Sequence, residues 1–145
     1  MEISEHLKRL RNSCMSAKIS QHLAKEIEIY EPGSCRVTIP YNPNLTQNAG
    51  FLHGAAFFEI ADTAGFIAAN SLESTFSVLT LEFNINFFRS VKELSIYAEA
   101  KVLHRGKSII TCSSKVFNEN AKFVAEGRGT YMISDILLSS LNNYR

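Results

Sequence analysis

His53-Gly54-Ala55-Ala56-Phe57-Phe58-Glu59-Ile60-Ala61-Asp62-Thr63-Ala64-Gly65-Phe66-Ile67-Ala68-Ala69-Asn70-Ser71 is apolar nearly all the way round a helical wheel. Between the first turn and the closing Ser71 only Glu59, Asp62, Thr63 and Asn70 are polar, and with Phe66 they fall on one stripe at 100° per residue. A helix on a protein surface shows one apolar stripe; a helix apolar on most sides is wrapped by protein. Residues 53–71 are therefore predicted to form a central buried helix, and the rest of the chain has to supply the wrapping.

Strand patterns supply it. Leu79, Leu81, Phe83, Ile85 and Phe87 alternate strictly with Thr80, Glu82, Asn84 and Asn86, and Leu94, Ile96, Ala98, Ala100 and Val102 line one face of a second segment. Period-two alternation marks half-buried strands. Two more follow, over about 108–117 and 123–133, joined by Asn118-Glu119-Asn120-Ala121 as a hairpin turn. Ahead of the helix, Cys35, Val37 and Ile39 alternate with Arg36 and Thr38 in one strand over roughly 26–40, which Tyr41-Asn42-Pro43-Asn44 ends with turn chemistry. Ile3, Leu7 and Leu10, then Cys14, predict an amphipathic helix from 3 to about 23. Residues after Ser134 read as a short mobile tail or a last helical turn. The order is helix, strand, buried helix, four antiparallel strands. Sequential strands usually pair with their neighbours, and one sheet of five or so strands that curls around the helix hides it. The expectation is an α+β chain with a single domain over 1–145, a core over about 26–133, and the layout called a hotdog fold.

Composition excludes several classes. The 145 residues are 46% hydrophobic and 20% charged, the range of globular chains. Fifteen basic against fourteen acidic residues leave a net charge of +1, which gives no field for a nucleic-acid backbone. Cys14, Cys35 and Cys112 are odd in number and in no CxxC spacing, so they read as reduced thiols. The N-terminal residues lack a signal-peptide core, and no segment approaches the ~20 apolar residues of a membrane span. A cytoplasmic protein is expected. His6, His22 and His104 show no ligand spacing, and no metal or separate cofactor is implied.

Carboxylates on a helix this apolar are costly unless paired or used, so Asp62 and Glu59 are candidates for chemistry. The preceding loop reads Gln47-Asn48-Ala49-Gly50-Phe51-Leu52-His53-Gly54, and Asp62 follows His53 by nine. Here the sequence resembles the hotdog-fold acyl-CoA thioesterases, in particular the phenylacetyl-CoA-pathway group. These have a Gly-x-x-His-Gly loop, an Asp or Glu nine residues after the His, and a Gln six residues before it. The resemblance continues through Asn84-Ile85-Asn86-Phe87-Phe88-Arg89, His104-Arg105-Gly106-Lys107-Ser108 and Ala125-Glu126-Gly127-Arg128-Gly129-Thr130, and spans about 35–133. Many relatives have His-Gly-Gly where Ala55 stands here, a departure that narrows the helix start.

Thioester hydrolysis needs a base or nucleophile beside the carbonyl and a donor for the oxyanion. Asp62 fits the first role, either activating water or attacking to form a mixed anhydride. Spacing from His53 favours it over Glu59. Gly54 fits the second, at a helix start where free N–H groups and the positive dipole end point outward. Gln47 is a candidate for orienting water or bonding the carbonyl, and His53 for positioning the thioester or merely capping the helix. Thr80 matches a position that in the relatives carries a hydroxyl near the base. For the coenzyme phosphates, Arg105, Gly106, Lys107 and Ser108 form a turn that offers backbone access and a point charge, with Arg89 and Arg128 as further candidates.

The expected activity is hydrolysis of an acyl-CoA to free acid and CoA by a homodimer or dimer of dimers. Rival readings are a hydroxyacyl thioester dehydratase of the same fold and a non-catalytic acyl-CoA binding module. The dehydratases usually carry a His within a Phe/Pro-rich loop, which is not visible here.

Overall fold

The buried helix forms where the all-round apolar pattern placed it. In the computed structural model, which describes residues 2–145, helix α3 (Gly54–Asn70) buries Ala56, Phe57, Ile60, Ala61, Ala64, Gly65, Ile67, Ala68 and Ala69. Six strands, β1 (Glu26–Glu31), β2 (Ser34–Ile39), β3 (Phe76–Phe87), β4 (Ile96–Arg105), β5 (Ile109–Asn118) and β6 (Phe123–Leu137), form one antiparallel sheet in the order β1-β2-β4-β5-β6-β3. Strands β2 to β6 pack against α3, whose apolar surface meets Val37, Val78, Ala98, Ile110 and Val116 in one core. This is the hotdog layout. Among the described residues no helix is long and apolar enough to cross a membrane.

Several expectations need correction. The strand read over 26–40 is a hairpin: β1 and β2 turn at Pro32-Gly33, with Glu31 opposite Ser34. Gly33 has φ +88°, a conformation that suits glycine and breaks a continuous strand. The N-terminal helix is two, α1 (Ile3–Ser16) and α2 (Lys18–His22), because Ala17 is extended at φ −59°, ψ 137°. Strand β3 does not pair with its sequential neighbour β4. It lies at the sheet edge beside β6, and β4 inserts between β2 and β5. The chain beyond Ser134 is no loose tail. Strand β6 runs on to Leu137, a 3-10 turn follows at Leu138–Ser140, and the Tyr144 hydroxyl meets buried His6 Nδ1 at 2.6 Å.

The strict alternation of β3 fails at one point that matters for the site. Thr80 pairs with Tyr131 and Glu82 with Thr130, so Leu81 has no partner and forms a β-bulge. Beyond it the faces exchange. Phe83 and Phe87 pack on Phe58 and Phe57 of α3, while before it Thr80 reaches Asp62 on the same helix. An unbroken strand would have sent Thr80 to the outer face with Glu82 and Asn84.

Candidate active site

The start of α3 leaves one donor unused. His53 is its N-cap: its carbonyl accepts from Ala56 N–H at 2.9 Å, and its Nδ1 accepts from Ala55 N–H at 2.9 Å. Acceptance at Nδ1 puts the proton of the neutral ring on Nε2, which faces outward as a donor. Among the described residues nothing accepts the Gly54 N–H. That N–H opens onto a cleft of about 410 Å³ lined by Gln47, Phe51, His53, Gly54, Phe57, Phe87 and Arg89. Gln47 is fixed from within its loop, with Oε1 accepting from Ala49 N–H and its own N–H donating to Phe51 O at 2.8 Å. Among the described residues nothing accepts from its side-chain NH₂.

Asp62 lies two turns on, in a different place. It is half-buried and lines a second cleft of about 240 Å³ with Cys14, Ala17, Ile19, Ser20, Lys25, Thr63, Phe66 and Thr80. One of its oxygens is held twice: Thr80 Oγ1 donates to Oδ1 at 3.0 Å, and the Tyr131 hydroxyl donates to the same Oδ1 at 3.1 Å. Burial raises the proton affinity of this carboxylate above the usual aspartate range. The donated bonds from Thr80 and then Tyr131 oppose that rise, the Glu59 charge adds to it, and Lys25 opposes it.

Glu59 is occupied elsewhere. It forms an ion pair with the almost fully buried Lys25 ammonium and accepts from Thr63 Oγ1 at 2.9 Å. Asn70 does not share the wet stripe. It is fully buried, donates to Glu73 O and Phe76 O, and accepts from Val78 N–H, closing the turn between α3 and β3.

The coenzyme candidates do not form one group within a chain. Arg105 is tied to the far end of α3, donating to Leu72 O at 2.6 Å and meeting Glu73 Oε2 at 3.4 Å. Gly106 closes the β4–β5 hairpin through its N–H to Ile109 O at 2.7 Å, and a Cβ there would sit 3.0 Å from that oxygen. Lys107 and Ser108 are exposed at the tip. Arg89 belongs to the Gly54 cleft, and Arg128 lies on the outer sheet face beside Asn84, Ser113 and Glu126. Among the described residues no cluster of three or more His, Cys, Asp or Glu is placed to hold a metal ion.

Tyr131 is the contributor that sequence reasoning missed. In a strand, Tyr reads as an ordinary β-former. The available signal was the run Gly127-Arg128-Gly129-Thr130-Tyr131: glycines inside a strand mark a close approach by something else.

Comparison with known proteins agrees with this fold and gives the family. The family model of the thioesterase superfamily matches residues 49–125. A 1,4-dihydroxy-2-naphthoyl-CoA hydrolase of Listeria monocytogenes is 29% identical, over 79% of this chain and 94% of its own. The PaaI protein of the Escherichia coli phenylacetic acid degradation operon superposes with a TM-score of 0.84 at 22% identity, covering 92% of this chain and 96% of its own. A Staphylococcus aureus thioesterase superposes with a TM-score of 0.77 at 28% identity, covering 81% and 99%. Its structures include a glutamine-to-alanine and a glutamate-to-alanine variant at positions fifteen apart.

Proposed function

This chain belongs to the thioesterase superfamily and is a thioester hydrolase; we propose that its substrate is an acyl-CoA and that Asp62 is the working carboxylate. One observation carries the assignment: Asp62 is the carboxylate on the buried helix held at one oxygen by two hydroxyls, while Glu59 is bound up with Lys25. The fifteen residues from Gln47 to Asp62 equal the spacing of the two positions altered in the S. aureus enzyme, which supports the same pair here. The naphthoyl-CoA hydrolase supports a CoA thioester and an aryl acyl group, and Phe57, Phe66 and Phe87 line the two clefts with rings.

In this reading Asp62 takes a proton from water as its oxygen attacks the thioester carbon. The carbonyl oxygen gains charge and is held by a Gly54 N–H. Collapse breaks the C–S bond, and the thiolate leaves with the proton that Asp62 received. The alternative is direct attack by Asp62, giving an anhydride; when water opens it at the aspartyl carbon, single-turnover reaction in H₂¹⁸O puts the label on Asp62, whereas the base path puts it on the product acid. A thiol-release assay against aryl-, short-, medium- and long-chain acyl-CoA tests the function itself. Hydration of crotonyl-CoA with no free thiol would replace it by the dehydratase reading.

The Asp62 environment also sets a pH expectation. A base works deprotonated, and burial has raised its pKa, so kcat/KM should fall on acidification at a pH above the value of about 4 for an exposed aspartate. An acid limb at or below 4 in a kcat/KM–pH profile would contradict this.

The proposed site is shared between two subunits. Strand β1, one sheet edge, carries Glu26, Glu28 and Glu31 toward solvent, which discourages pairing. Strand β3, the other edge, is twelve residues long and exposes Leu79, Leu81 and Phe87. A long apolar edge invites a second copy, in a self-complementary two-fold contact. An antiparallel partner would also unite groups that one chain keeps apart. Gly54 and the Arg105–Lys107 turn lie at opposite ends of α3, whose 17 residues separate them by about 24 Å at 1.5 Å per residue. Two antiparallel helices place the turn of one beside the Gly54 end of the other. Lys107→Ala should then raise KM for acyl-CoA more than it lowers kcat, because a phosphate contact stabilises ground and transition states alike. An acyl-pantetheine substrate should erase the difference between variant and parent. An unchanged KM for acyl-CoA would move the phosphates to Arg89 or Arg128.

A further inference from the structure

Tyr131 is among the largest side chains with no solvent exposure, and two elements give up their own side chains to admit it. A Cβ on Gly65 of α3 would lie 2.1 Å from the Tyr131 hydroxyl, and one on Gly129 of β6 would lie 2.5 Å from it. Neither distance is possible, so the socket is cut to the oxygen as well as to the ring. Phe would fill the ring space with no oxygen to accommodate. A buried Tyr O–H has to find an acceptor, and both acceptors within reach belong to Asp62: Oδ1 at 3.1 Å and the backbone carbonyl at 3.2 Å. Thr80 takes the same Oδ1 at 3.0 Å from the other strand. Among the described residues nothing bonds Asp62 Oδ2, and the residue lines the cleft together with Thr80.

We infer that Tyr131 is a positioning residue for the reaction: with Thr80 it clamps one carboxylate oxygen of Asp62, fixes the aim of the other, and keeps the base ionised inside an apolar site. The inference rests on the reading of Asp62 as the working carboxylate. A carboxylate free to rotate about χ2 presents its attacking oxygen in many directions, and two donors on one oxygen select one of them. The same donors favour the charged form against burial. The other groups that face Asp62 are Glu59 on α3, which raises its proton affinity, and Lys25 ahead of β1, which lowers it. Cys14 lies in the cleft with its thiol pushed up to about 12 by burial, and so is neutral. Cys35 and Cys112 face Tyr131, and burial keeps these thiols neutral too.

Tyr131→Phe tests this because it deletes one oxygen and leaves the core filled. Loss of a donor to the charged form should move the acid limb of kcat/KM up by about one pH unit, the size of one charge-assisted hydrogen bond. Plateau kcat should fall about tenfold with KM little changed, as loss of aim predicts. A ring that only packed would move neither limb nor the KM-against-kcat balance. The Asp62 carboxyl titration, followed by ¹³C NMR, gives the same answer without turnover: its midpoint should rise in Tyr131→Phe. It should fall when 3-fluorotyrosine, a stronger donor of the same shape, replaces Tyr131. Midpoints unchanged in both would overturn the proposal. A parent that releases no thiol from any acyl-CoA would sink the functional reading instead, and the NMR midpoints would still decide whether Tyr131 holds Asp62.

Discussion

Replacing Asp62 by Asn is expected to lower kcat by at least ~10²-fold, the lower range for a positioned acid–base group, while acyl-CoA still binds. The amide keeps the shape of the carboxylate and its Oδ1 still accepts from Thr80 and Tyr131, so the side chain stays where it is. What disappears is the lone base. Folding should survive, since the change removes a charge that burial already disfavours. Glu59→Gln is the informative contrast. It strips the partner from Lys25, whose side chain is only 1% exposed, and leaves a buried ammonium without its counter-charge. Breaking such a pair typically costs about 3–5 kcal/mol, so that variant should lose thermal stability while its folded fraction turns over. Steady-state kinetics with a thermal melt separates the two effects. Near-normal turnover in Asp62→Asn beside a folded but dead Glu59→Gln would transfer the role to Glu59.

How far these features were legible follows from what each depends on. Helix α3 was readable because burial on most sides writes itself into most residues from Ala56 to Ala69, and no partner segment has to be known. His53, Gly54 and Asp62 stood out together because the Gly-x-x-His-Gly loop and the carboxylate nine residues on resemble the thioesterase motif, which is local in sequence. The hairpin at Pro32-Gly33 was missed although both residues are turn formers, because apolar alternation resumes beyond it and masks the break. The bulge at Leu81 was not legible at all. Leu79, Leu81 and Phe83 keep perfect period two, and the exchange of faces shows only in the pairing of Thr80 and Glu82 with adjacent residues of β6. That one unpaired residue turns Thr80 toward Asp62. The Tyr131 contact was hidden for a similar reason: it joins residues 69 apart in sequence, and only the glycines at 127 and 129 hint at a tight approach.

Activity should reappear when two dead variants are mixed. Gly54 and Asp62 are eight residues apart on one helix, about 12 Å along its axis, and they open onto different clefts of the same chain. A reacting carbonyl has to lie about 3 Å from its oxyanion donor and within reach of the attacking group. One helix does not bring both to one atom; two antiparallel helices across the β3 edge do, with Gly54 of one subunit opposite Asp62 of the other. Gly54→Pro is a suitable partner variant. It removes only the N–H at the first helical position, where proline is well tolerated, and His53 already has the extended ψ of 143° that a following proline prefers. A ring there meets the half-exposed Phe87 side chain, whose Cζ would lie 3.2 Å from a Cβ at position 54 and has to give by a few tenths of an ångström. Gly54→Pro and Asp62→Asn should each be nearly inactive alone. After subunit exchange, half of randomly assorted dimers are mixed, and each holds one site with both groups intact and one with neither. Thiol release should therefore climb to about a quarter of the parent's rate per subunit, as two-fold symmetry requires. If mass spectrometry shows exchanged subunits and the mixture stays dead, the donor and the carboxylate act within one chain and the shared site is wrong.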